Sequence, residues 1–273
     1  MFSRNIKAKK RSNIVTWRKI AIGSWSSTGD CQIRGLQKVE VSNTLKFLEE
    51  VNKKGSHITM THFFGKACAM LIKEYPQINS FIRFGNIYQR EEIALCFQVA
   101  SESTEEDLSS YTLAKADEKS LFEIADELSH KSKKIKKGDD EQFKKTKNVL
   151  DYIPGFLIKS VMNFIGFFMY SLNLWTPALT MKKDSFGSMM ITSIGPLGIR
   201  TAFSSLVHFT RVPIIVTVGA VYEDAYSKDG ELKSGQFINL GWTGDHRLID
   251  GLISSKLSRY IEKVFQNPEL VLK

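Results

Sequence analysis

With 273 residues, 42% of them hydrophobic and 25% charged, the chain is long enough for one large domain or two small ones and has an ordinary globular composition. The formal charge of +9 is concentrated at 4–19 and 131–147; basic runs without interleaved aromatics describe a solvated face and argue against a nucleic-acid partner. Three widely spaced cysteines, Cys31, Cys68 and Cys96, argue against a disulfide framework and a metal site, and fit a reducing, cytoplasmic setting. No apolar stretch follows the basic N-terminus, so no secretory signal is expected.

In chain order, residues 1–13 read as a basic arm or an outer strand. Alternation at 37–41 predicts a strand, and Ser42 or Asn43 can cap a helix over 44–52. A second helix starts at Thr59 or Thr61 and runs to about 74, with Phe63, Phe64, Ala67, Met70 and Leu71 at helical spacing and Pro76 as its stop. Strands are expected at 80–84, 86–90, 93–100 and 110–114, the first two joined through Gly85-Asn86 as a hairpin. Ser120 with Glu123 forms a capping-box pattern for a helix to about 136. This alternation predicts an α/β sandwich on a mixed sheet.

From about 140 to 181 the rhythm breaks. No charged residue occurs over 160–181, and Phe164, Phe167, Phe168, Leu174 and Trp175 make the stretch strongly apolar. Its length admits a membrane span. Asn163, Ser171, Asn173 and Thr176 interrupt it, and Pro154 and Pro177 bracket it, which favours a packed apolar helical insert, with contact to a membrane surface through 152–177 as the second expectation. Strands return at 187–194, 214–221 and 236–242, the middle one apolar enough to be buried on both faces, and a helix closes the chain after Asp250.

Chemistry is concentrated in Asp245-His246-Arg247-Leu248-Ile249-Asp250-Gly251, set between strand-like and helix-like sequence. A histidine there can take a proton near neutral pH. Asp250 can lock the turn by pairing with a cation, and Gly251 permits backbone conformations closed to other residues. His57, His62, His130 and His208 lack partners at chemical spacing and read as structural or exposed. Gly195-Pro196-Leu197-Gly198 reads as a turn shaping a substrate channel, since no Lys-Ser/Thr follows to make a phosphate loop.

Together with Gly187-Ser188-Met189-Met190-Ile191-Thr192-Ser193-Ile194-Gly195-Pro196-Leu197-Gly198 and Pro213-Ile214-Ile215-Val216-Thr217-Val218-Gly219-Ala220, in this order and spacing, the histidine motif resembles the catalytic core of the dihydrolipoyl acyltransferases of 2-oxoacid dehydrogenase complexes. That family is related in fold to chloramphenicol acetyltransferase. Weaker likeness covers Phe63 to Asn79 and Lys119 to Ala125, so the resemblance spans about 15–137 and 184–270 of one domain over 1–273. The sequence contains no recognisable lipoyl domain with its modifiable lysine, subunit-binding segment or Ala/Pro linker, so a stand-alone core is expected.

The resemblance implies a chloramphenicol acetyltransferase-like two-layer fold, acyl-CoA as donor substrate, no tightly bound cofactor, and a homotrimer with its site between subunits. It implies His246 as general base and Thr192, where the family usually has serine, as oxyanion donor. Ser193 is the alternative hydroxyl, although strand alternation turns it to the other face. Asp250 is expected to anchor the histidine loop by pairing with Arg18, or with Arg247 should that side chain turn inward. The acceptor is open: a lipoyl group on another protein, a small alcohol or amine, or a lipid reached through the insert. The rival expectation is a non-catalytic trimeric scaffold that binds a partner or a membrane.

Overall fold

The structure is a computed structural model and describes residues 3–10, 31–53, 55–100, 108–136, 154–177, 179, 181–228 and 230–272. The chain opens with two short strands, β1 (Ser3–Arg4) and β2 (Ala8–Lys10), and continues through β3 (Gln32–Glu40), α1 (Ser42–Asn52) and α2 (Met60–Glu74). Strands β4 (Ser80–Arg83), β5 (Asn86–Arg90), β6 (Leu95–Ala100) and β7 (Leu108–Leu113) lead to α3 (Leu121–Lys136). Next come α4 (Gly155–Gly166), a π-helical turn over Phe167–Ser171, and β8 (Leu174–Trp175). The last third holds β9 (Met189–Ser193), β10 (Ile214–Val218), β11 (Tyr222–Lys228), β12 (Glu231–Asp245) and α5 (Gly251–Gln266).

The expected capping box at α3 has its physical counterpart, and the structure adds a second at α2. The Glu123 carboxylate accepts from the Ser120 backbone N–H at 2.8 Å while the Ser120 hydroxyl accepts from the Glu123 N–H at 3.2 Å. At α2 the Thr59 hydroxyl accepts from the His62 N–H, and Nδ1 of His62 accepts from the Thr59 N–H. Burial lowers the His62 pKa, which keeps the ring neutral and able to accept. By contrast α1 begins without a side-chain cap at Val41.

Seven strands form the main mixed sheet. β6, β9 and β10 run parallel in that order, β7 and β12 flank them antiparallel, and β3 pairs with the outer edge of β12. The 15-residue β12 is long enough to pair twice along one edge, with β11 through its first half and β10 through its second. The first half of this hairpin stands out in solvent, and 222–235 show no apolar alternation, which is why only 236–242 read as strand from sequence.

Helices α2, α3 and α5 cover one face, where Phe63, Phe64, Leu71, Ile124, Ile261 and Phe265 pack on Leu95, Ile191, Val216 and Leu240. Every residue of β10 is buried, as its apolar run required. The opposite face is crossed by an extended strap, residues 199–207. The Ala220 N–H donates to the Ile199 carbonyl, Ser204 and Thr217 share a hydroxyl contact of 3.2 Å, and Gln32 reaches the Leu206 carbonyl. Glycine makes this approach possible: a Cβ on Gly219 would lie 2.0 Å from the Arg200 carbonyl oxygen, and one on Gly241 would lie 2.1 Å from that of Ala202.

A separate small layer joins the two ends of the first half. β1 pairs with β8, β2 joins the β4–β5 hairpin, and their cluster is Ile6, Phe81, Met169 and Tyr170. The basic N-terminal residues therefore form outer strands. α4 departs from the expected long packed helix: it has 12 residues, followed by the π-helical turn and by Asn173 in a left-handed conformation (φ 56°) that stops it. Gly166, Met169 and Tyr170 face inward, Gly166 against Phe209, whereas Leu157, Phe164 and Phe167 face out. Among the described residues no helix is long and apolar enough to cross a membrane.

Candidate active site

The second half of β12 delivers the histidine motif to one end of the sheet. β12 ends at Asp245, whose N–H donates to the Pro213 carbonyl, and the Asp245 carbonyl accepts from both Leu248 and Ile249 at 2.9 Å, closing a tight turn. Asp250 then starts α5, its carboxylate accepting from the Ile253 N–H at 2.9 Å. This N-cap stabilises such a helix by about 1 kcal/mol. The next helical position is Gly251, with ordinary open space around it.

His246 is held from two sides. Its N–H donates to the Cys31 carbonyl at 2.8 Å, and its ring Nδ1 lies 2.9 Å from the Ile249 carbonyl oxygen. A carbonyl only accepts, so Nδ1 carries the proton in this contact. The ring is half-buried.

The turn is braced by an ion pair that sequence reasoning did not single out. Arg247 clamps Asp245, with Nε 2.9 Å from Oδ1 and Nη2 2.6 Å from Oδ2, and both residues are buried. Burial opposes the Arg247 cation, yet the hydrogen bonds and charge of Asp245 outweigh it and raise the guanidinium pKa. Cys31 adds its thiol, which donates to Asp245 Oδ1 at 3.2 Å. Burial, then Asp245, pushes that thiol up to about 12, so it remains protonated and able to donate. Charges on both sides of His246 were the only sequence signal of this brace; Cys31, 214 positions away, gave none. Arg247 pairs with Asp245, and Arg18, the other expected partner of Asp250, lies outside the described residues.

Thr192 sits elsewhere. On β9 it registers with Thr217 of β10 and Gln98 of β6, on the strap-covered face. Ser193 registers with Val218, which points into the helix-side core, so alternation turns Ser193 the other way as expected. Through Thr217, Thr192 aligns with Gly241 of β12, five residues before His246. Strand geometry puts that at about 17 Å along the strands and about 10 Å across them, roughly 20 Å in all. One chain does not bring the two groups together.

Beside the turn, an apolar cavity of about 210 Å³ opens between β3, β12 and α5, lined in part by Ile33, Trp242, Leu257 and the same Ile249 that holds His246. At the sheet end nearest the turn lies His208, whose pKa is lowered by burial and then by Arg211 and Arg247. No group of three or more His, Cys, Asp or Glu among the described residues could hold a metal ion.

The family model for the 2-oxoacid dehydrogenases acyltransferase catalytic domain matches residues 24–145 and 178–273. The chain belongs to that family. A curated relative, the lipoamide acyltransferase component of the branched-chain alpha-keto acid dehydrogenase complex of Bacillus subtilis, is 23% identical over 85% of this chain and 46% of its own length. The chain thus spans about half the length of the curated relatives it matches. The fold is shared with a probable dihydrolipoamide acetyltransferase of Listeria monocytogenes, at TM-score 0.66 and 21% identity over 95% of both chains. Chloramphenicol acetyltransferase has the same fold at TM-score 0.50 and 11% identity, covering 98% of this chain and 100% of its own. The family match stops at 145 and resumes at 178, so α4, its π-helical turn and β8 fall in the gap.

Proposed function

We propose that the protein transfers an acyl group between the thioester of coenzyme A and a thiol, with His246 as general base. The dihydrolipoyl thiol named by its relatives is the first acceptor to test. The observation that carries this reading is the 2.9 Å contact between His246 Nδ1 and the Ile249 carbonyl oxygen, which leaves Nε2 as the basic nitrogen on a braced turn. Nε2 takes the proton of the incoming thiol, and the sulfur attacks the thioester carbonyl. The resulting oxyanion accepts a hydrogen bond from the Thr192 hydroxyl. Collapse expels the coenzyme A thiolate, which recovers the proton from His246. The apolar cavity beside Ile249 suits the hydrocarbon part of a thioester.

A separation of roughly 20 Å between Thr192 and His246 within one chain supports a site formed between copies. The reading is therefore a homo-oligomer, a trimer by family resemblance, in which His246 of one copy meets Thr192 of the next. His246→Ala should lower the rate of thiol release from acyl-CoA by roughly 10²–10⁴-fold, the usual contribution of a general base, with the fold intact by circular dichroism. Retained activity would sink the assignment. The two-copy site has its own test. His246→Ala and Thr192→Ala chains, each impaired alone, should regain activity when co-expressed in mixed oligomers; failure to recover would place the two groups in unrelated sites.

A further inference from the structure

The small layer outside the main core carries a surface that acyl transfer does not use. On the outer side of α4 and the turn after it, Leu157 is 41% exposed, Phe164 68% and Phe167 46%. The stripe continues onto Phe84, 65% exposed at the tip of the β4–β5 hairpin, whose ring meets that of Phe167 edge-on at 6.4 Å. Phe84 is held there at φ 47°, a left-handed conformation unusual for an aromatic residue. Large apolar side chains gathered at one convex surface mark a contact with something apolar.

Charge decides what kind. Residues 3–10 and 154–183 contain seven lysines and arginines and not one acidic residue. Arg4, Lys9 and Lys10 are exposed on the outer strands and Lys7 between them, and Lys182 and Lys183 are exposed beyond β8, Lys183 lying over the Trp175 ring. Arg83 stacks on Tyr88 one residue before Phe84. The exposed acids of this layer, Glu91 and Glu92, follow β5 at its end remote from the Phe84 tip, about 20 Å of strand away. A second copy docking symmetrically would set these cations against their own images, whereas an anionic surface is complementary to them.

The geometry points to a peripheral membrane contact, in which Phe84, Phe164 and Phe167 enter the headgroup region of an anionic bilayer and the flanking lysines and arginines pair with lipid phosphates. The enzyme then stays outside the bilayer and the core is unchanged. Leu157, Phe164 and Phe167 lie in the gap of the family match, whereas Phe84 at the adjoining hairpin tip lies within it.

The test is flotation of the full chain with vesicles of phosphatidylcholine alone and of phosphatidylcholine containing phosphatidylglycerol, at low and high salt. Binding is expected to the anionic vesicles and to weaken at high salt, as screened charges do. Phe164→Ser and Phe167→Ser, alone and with Phe84→Ser, should each reduce the partition coefficient by roughly tenfold or more, although net charge is unaltered. Equal binding by these variants would reduce the effect to general basicity and overturn the proposal, as would absence of binding to anionic vesicles. Sedimentation of the same variants covers the remaining occupant: a smaller oligomer for Phe164→Ser, without vesicle binding by the parent chain, would give the stripe to a second copy.

Discussion

The charged groups of the histidine turn and those buried in the small outer layer are satisfied to different degrees. At the histidine turn each buried charge has its partner: Asp245 takes Arg247 in a two-pronged pair and the Cys31 thiol besides. In the outer layer the fully buried Tyr170 hydroxyl and Nη1 of Arg90 have no hydrogen-bond partner among the described residues, although Nε of Arg90 reaches Asp184 at 2.9 Å. The contrast teaches that full satisfaction is found where a ring must be held in place.

That contrast can be broken by substitution. The largest effect is expected at the turn, where Asp245→Asn or Arg247→Met leaves an uncompensated buried partner and should cost about 3–5 kcal/mol of stability, measured by denaturant unfolding. Acyl transfer should fall with it, because His246 loses its braced backbone. Gly241→Ala, which drives a methyl into the Ala202 carbonyl, should follow at about 1–3 kcal/mol. Ser120→Ala, removing half of a capping box, should cost about 1 kcal/mol. Tyr170→Phe should be neutral or slightly stabilising, within about 0.5 kcal/mol, since the hydroxyl it deletes makes no bond. A loss of 2 kcal/mol or more at Tyr170 (roughly the cost of an unsatisfied partner) would erase the difference between the two regions.

The sequence reading reached most of the sheet-and-helix core because its signals are local. The helical spacing of Phe63, Phe64, Ala67 and Leu71, the Ser120–Glu123 box and the unbroken apolar run of β10 each report a face or an end without reference to distant chain. Other features depend on partners far away. The β11–β12 hairpin is polar on both faces and held by its own ladder, so no alternation marks it. The brace on the histidine turn needs Cys31, and the outer layer needs β1 to meet β8 across some 170 residues. α4 shows the limit from the other side: an apolar stretch reads as buried, yet its outer stripe is exposed. At the site, residue types were legible but separation was not, because it follows from sheet register and not from spacing in the chain.

The strap over the sheet runs from Ile199, beside the Thr192 end, to Leu206, which meets Gln32 near the histidine turn. Under the two-copy reading, these ends serve two different catalytic centres. Each subunit is then a member of two centres at once, and inactivation becomes a matter of stoichiometry. In a ring diluted with chains lacking both His246 and Thr192, one defective subunit silences two centres, so activity should decline with the square of the intact fraction and not in proportion to it.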